Sequence, residues 1–176
     1  MIKNQIKKEL QIHRIRPAKH RGQSFLISPA VVKKIIAAAG LKPGETVLEI
    51  GPGTGVLTRA LLEAGAEVIA VEKDKGLTRL LISNFQFLIS KKRLGVTAGD
   101  VLEFDETKIQ DAYKVVANIP YYITGPIIQK FLFSKNPPAQ MVMMVQKEVG
   151  ERITAAPPRA NYLSSLVQTF AETKIL

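Results

Sequence analysis

Apolar and polar positions along this chain follow two periods. Five short apolar runs, 46–50, 67–71, 94–97, 115–117 and 141–145, read as strands. Around and between them, apolar residues recur three and four apart, as a helix with one buried stripe requires. The stripes are Val31, Val32, Ile35 and Ile36; Val56, Leu57, Ala60 and Leu61; Leu77, Leu80 and Leu81; Ile127, Ile128, Phe131 and Leu132; and Leu163, Leu166, Val167 and Phe170. Strands alternating with helices imply a mostly parallel, doubly wound α/β domain. Ser28 and Pro29 supply the cap and first turn of the earliest of these helices, which should run to Gly40, and Lys42-Pro43-Gly44 is a turn. Phe85 and Phe87 are expected in the core, and Met141, Met143 and Met144 are expected to pack there too. The run Ala155-Ala156-Pro157-Pro158-Arg159 breaks the pattern, and Lys174-Ile175-Leu176 should enter a further strand.

Candidate chemistry sits just after the strands. Gly51-Pro52-Gly53-Thr54-Gly55 joins the first strand to a helix; glycines there let the backbone approach a ligand, and free N–H groups at the helix start favour electron-rich atoms. Such a turn is common. Glu72, however, ends the second strand about twenty residues later, where an acid in a dinucleotide-binding unit accepts hydrogen bonds from ribose hydroxyls. Asp100 follows the third run, either as a turn aspartate or as an acceptor for an adenine amine. Asn118-Ile119-Pro120-Tyr121 follows the fourth. A nucleobase amine is a poor nucleophile because its lone pair is delocalised into the ring. The Asn118 side-chain carbonyl and the Ile119 backbone carbonyl could accept its two N–H groups and aim the lone pair, with the Tyr121 ring as a stacking face. Strand ends of an open α/β sheet share one crevice, so all four features would meet.

These residues, together with Gly22-Gln23-Ser24-Phe25-Leu26 and Gln146-Lys147-Glu148-Val149, give a chain that resembles the ribosomal RNA adenine N6-dimethyltransferases of the small subunit. The likeness runs from about Lys19 to the last residue. It implies S-adenosylmethionine as methyl donor, with Gln23, Ser24, Leu26, Gly51, Gly53, Glu72, Asp100 and Asn118 around it. It also implies Asn118, Ile119, Pro120 and Tyr121 as the catalytic segment, and two successive methyl transfers to an adenine N6 during ribosome assembly. Two departures stand out. The family usually has Asn where this chain has Ser24, and its members continue past the equivalent of Leu176 with a Phe- and Pro-rich segment, another strand and a small helical domain. The expectation is therefore a catalytic domain, 22–176, shortened at its carboxyl end and preceded by a basic arm, 1–21. The resistance-type methyltransferases of large-subunit RNA share the same motifs, though Gly22 and the stretch from Gln146 to Val149 favour the small-subunit branch. A non-catalytic RNA-binding assembly factor is the alternative of a different class.

Charge fits a polyanionic partner. The 176 residues hold 25 Lys and Arg against 15 Asp and Glu, a net charge of +10. Within the first 23, seven basic residues (Lys3, Lys7, Lys8, Arg14, Arg16, Lys19 and Arg21) face only Glu9. The arm is expected to touch phosphates, the alternative being a solvated tail; Ile2, Ile6, Leu10 and Ile12 could form a short helix on binding. The chain has no cysteine, and both histidines, His13 and His20, lie in the arm, which argues against a metal centre. No apolar stretch is long enough to span a bilayer. The expected partner is ribosomal RNA or a small-subunit assembly particle, met by a cytoplasmic monomer.

Overall fold

The computed structural model describes residues 2–13, 15, 26–119 and 123–176. Five strands, β1 (Thr46–Ile50), β2 (Glu67–Glu72), β3 (Leu94–Ala98), β4 (Tyr113–Asn118) and β5 (Gln140–Met144), form one all-parallel sheet in the order β3-β2-β1-β4-β5. The order reverses direction between β1 and β4, and at such a switch point the loops leaving the two strands diverge and open a crevice. The helices are α1 (Ile2–Ile12), α2 (Pro29–Ala39), α3 (Val56–Glu63), α4 (Lys75–Asn84), α5 (Gln86–Ser90), α6 (Thr124–Leu132), α7 (Lys147–Ile153) and α8 (Tyr162–Phe170).

Side chains alternate across the sheet and feed two cores. Val47, Val68, Ala70 and Val116 pack with Ile35 and Ala39 of α2 and Leu57 and Leu61 of α3. Leu48, Ile50, Val71, Val115 and Ala117 point the other way, against Ile127 and Phe131 of α6. In β1 the same period of two puts Glu49 on the α2–α3 face, beside Val47, and register carries Glu72 and Asn118 to that face as well. α2 starts and stops as its sequence dictates: Ser28 caps it, and Gly40 closes it at φ 51°, a left-handed conformation that glycine adopts without strain.

Three expectations change. Phe87 is 69% exposed rather than in the core, because α5 turns Leu88 and Ile89 inward instead, while Phe85 is buried as expected. Lys174-Ile175-Leu176 forms no strand, and Ile175 lies beside Gly150 of α7. Residues 2–12 are helical in the free chain, and Ile6 and Leu10 are buried against Leu77 and Leu80 of α4, so this part of the arm is docked rather than a solvated tail. The methionines of β5 are half-buried, Met144 against one core and Met141 and Met143 against the other. Among the described residues no helix is long and apolar enough to cross a membrane.

Candidate active site

The glycine turn is built on left-handed backbone, with φ of 65° at Gly51, 60° at Gly53 and 82° at Gly55. Gly51 and Gly55 have different surroundings. The Gly51 N–H donates to the Val71 carbonyl at 3.0 Å, and a Cβ on Gly51 would sit 3.8 Å from the Asn118 backbone oxygen, so the turn and the end of β4 run close together. A Cβ on Gly55 would lie 2.6 Å from Cε2 of Phe85, which fills the space behind the turn.

Glu72, 6% exposed, sits between this turn and α4. Its Oε2 accepts the Gly53 N–H at 3.0 Å and its Oε1 accepts the Asp74 N–H at 2.8 Å. Burial raises its pKa, and these backbone hydrogen bonds oppose the shift. Asp74 in turn caps α4, accepting from Gly76 and Leu77. With Gly53, Asp74 and Lys73 N–H groups acting on it, the Glu72 carboxylate still has acceptor capacity left for a hydroxyl donor.

Glu49 is the residue whose role the sequence did not disclose. It is 1% exposed, and the Thr58 hydroxyl and N–H lie close by without forming a full hydrogen bond to either carboxylate oxygen. Burial pushes its pKa up to about 8, with the Glu72 charge adding to the rise and Thr58 opposing it. A buried acid without a partner is costly to keep, which makes it a candidate for a cationic ligand group. The signal was present as an acid between Leu48 and Ile50 of a buried strand, on the inward parity of Val47.

A cleft at the switch point is lined by Leu26, Glu49, Gly51, Gly53, Val56, Leu57 and Asn118. Of the residues expected from sequence, Leu26, Gly51, Gly53 and Asn118 therefore meet there, with Glu72 directly behind Gly53. Ile119 is buried at the end of β4. Asp100 follows β3 one strand further out, where its Oδ2 accepts from Lys73 Nζ at 2.7 Å and its Oδ1 from the Leu102 N–H at 3.0 Å; the Lys73 contact is the main cause of its lowered pKa. Gln23, Ser24, Pro120 and Tyr121 lie outside the described residues. The described part of the site combines left-handed glycines, acidic hydrogen-bond acceptors and a side-chain amide at one rim, an arrangement able to hold a nucleoside-like ligand beside the Asn118 amide.

Known proteins resemble this chain over most of its length. The family model "Ribosomal RNA adenine dimethylase" matches residues 15–176. The chain is 40% identical over 94% of its length to the ribosomal RNA small subunit methyltransferase A of Deinococcus radiodurans, covering 56% of that protein. It is 45% identical over 89% of its length to the methyltransferase of the same name from Thermosynechococcus vestitus, covering 60% of it. Among solved structures, a dimethyladenosine transferase from Plasmodium falciparum superposes with a TM-score of 0.72 at 32% identity, over 82% of this chain and 52% of that one. The chain thus spans a little over half the length of these relatives. With the matched region taking in the sheet, the glycine turn and Asn118, the chain belongs to the ribosomal RNA adenine dimethylase family.

Proposed function

We propose that the chain is the catalytic domain of an S-adenosylmethionine-dependent methyltransferase that dimethylates adenine N6 in small-subunit ribosomal RNA. The observation that carries this reading is the convergence of Glu49, Glu72, the glycine turn and Asn118 on one face of the sheet at its switch point. The residues fit the cofactor. Glu72 has acceptor capacity left for a ribose hydroxyl, Asp100 has the acceptors for an adenine amine, and the unpartnered Glu49 carboxyl offers a counter-charge for the α-ammonium of the methionine part. Gln23, Ser24 and Leu26 are assigned to the same pocket.

When bound, the cofactor supplies an electrophilic methyl on a sulfonium. The protein's share is orientation. The Asn118 side-chain oxygen and the Ile119 carbonyl accept the two N–H groups of the target amine, which turns its lone pair out of conjugation and towards the methyl. Tyr121 stacks the extruded base, and Pro120 stiffens the turn that carries it. Catalysis rests on this alignment and on local electrostatics rather than on a poised general base. The domain works as a monomer in the cytoplasm, on RNA within an assembling small subunit.

Methyl incorporation into small-subunit assembly particles, large-subunit RNA and naked oligonucleotides, measured side by side, tests the reading. Incorporation confined to the small-subunit particle is expected. Preference for large-subunit RNA would move the chain to the resistance-type branch, and cofactor binding without any incorporation would make it an assembly factor.

A further inference from the structure

Between Asp74 and Asp100 the chain contains no Asp or Glu, yet it carries Lys75, Arg79, Lys91, Lys92 and Arg93. Arg93 has a structural task, donating to the Ala66 carbonyl at 2.9 Å. The other four are exposed. They are strung along one flank of the domain. Lys75 opens α4 at the end of the sheet where the cleft lies, the ten residues of α4 advance about 15 Å, and Lys91 and Lys92 form the turn that leads into the opposite end of β3. β3 is an edge strand, with Gly95, Thr97 and Ala98 exposed.

Phe87 stands on this flank with its ring in water and Lys91 Nζ 5.7 Å from the ring centroid. Its helix is held firmly, since Phe85 at the α5 cap packs behind Gly55 of the cofactor turn while Leu88 and Ile89 join the core. An exposed ring on a fixed mount, with cations along the same stretch of chain, matches what single-stranded nucleic acid requires: a face for one base and charges for the neighbouring phosphates. The run of cations without an intervening acid from Lys75 to Arg93 favours a polyanion over a protein surface. Ile82 and Phe87, the exposed large apolar residues of α4 and α5, are too few to seat a bilayer.

We propose that this flank is a second RNA contact, separate from the cleft, in which a base stacks on Phe87 and the adjoining phosphates pair with Lys91, Lys92 and Arg79. The proposal rests on the reading of RNA as the substrate, and it extends that reading to a stretch of RNA that is not itself methylated.

The test uses dodecamer oligouridylate, which offers no adenine to the cleft, and reads its binding by fluorescence anisotropy across a salt series. Phe87→Ala is expected to raise Kd about five- to twenty-fold and Phe87→Trp to preserve binding. Lys91→Ala with Lys92→Ala should flatten the slope of log Kd against log salt by about 1.4, the value for two phosphate contacts on a single strand. Cofactor affinity should not change in any of these variants. Binding and salt slope unaltered in both Phe87→Ala and the double lysine variant would overturn the proposal, as would a dependence on Phe87 seen only with phosphatidylglycerol vesicles. Failure of the unmodified chain to bind oligouridylate would also overturn it, while methyl incorporation into small-subunit particles would show independently whether the substrate reading survives.

Discussion

Glu72 reaches back across 19 positions to Gly53 and accepts its backbone N–H at 3.0 Å, which ties the end of β2 to the glycine turn. The same carboxylate holds Asp74, the cap of α4. Glu72 therefore shapes the pocket before any ligand arrives, and its remaining acceptor capacity is then already in place.

Glu72→Ala should weaken S-adenosylmethionine binding by roughly 1.5 to 3 kcal/mol, the range for charge-assisted hydrogen bonds. Because Gly53 loses its acceptor as well, Glu72→Gln, which keeps an oxygen for one of the two contacts, should recover part of the loss. Calorimetry on both folded variants checks this, and affinity unchanged in Glu72→Ala would remove the assignment.

Glu49 gives a pH signature. Its carboxyl rises from 4.5 to about 8 on folding, so the folded state binds more protons than the unfolded state between those values. The stability from this group is present below pH 4.5 and is lost as pH rises towards 8. Glu72 is shifted in the same direction. Denaturant unfolding should show Glu49→Gln gaining on the unmodified protein by a few kcal/mol between about pH 5 and 8. At pH 7, cofactor binding should release a proton as Glu49 ionises against the ammonium, visible as a dependence of the calorimetric enthalpy on the buffer. That dependence should vanish in Glu49→Gln.

Two glycines with similar backbone angles separate strain from crowding. Gly44 has φ 83° with open space where a Cβ would go, whereas Gly55 has φ 82° and a Cβ there would meet Phe85 at 2.6 Å and Leu81 at 2.9 Å. Gly44→Ala should cost about 1 kcal/mol, from strain alone. Gly55→Ala should cost about 2 to 4 kcal/mol, with overpacking added. Equal costs in thermal unfolding would mean that Phe85 yields freely.

The docked arm predicts a contrast within α1. Leu10→Ala should destabilise by about 2 to 3 kcal/mol because Leu10 is buried against α4, while Ile12→Ala, at a position 65% exposed, should change little. Equal and negligible effects in denaturant unfolding would show that α1 does not stay seated in solution.

The sequence was most legible where one rule acted alone. Short continuous apolar runs located β1, β2 and β4, and the Ser28 cap with the Gly40 stop bounded α2 closely. That Gly51, Gly53, Glu72 and Asn118 gather at one end of the sheet was legible because each lies at or just past the carboxyl end of a strand. Phe87 misled because a large aromatic beside a buried Phe85 reads as core, and only the inward turn of Leu88 and Ile89 on α5 leaves it outside. The tail at Lys174 looked strand-like because local apolar composition carries no information about a neighbour to pair with. Glu49 went unassigned because a lone acid in a strand reveals its burial only once α3 and Thr58 cover it. The hold of Lys73 on Asp100 spans 27 positions and has no local trace.

The central claim is that the carboxyl end of β4 orients a target amine, and the most direct measurement is single-turnover methyl transfer to small-subunit particles by the unmodified chain and by Asn118→Ala, with cofactor affinity measured alongside. The transfer rate should fall by about a hundred-fold or more in Asn118→Ala, with cofactor affinity changed by no more than a few-fold. A transfer rate that survives Asn118→Ala would contradict that claim.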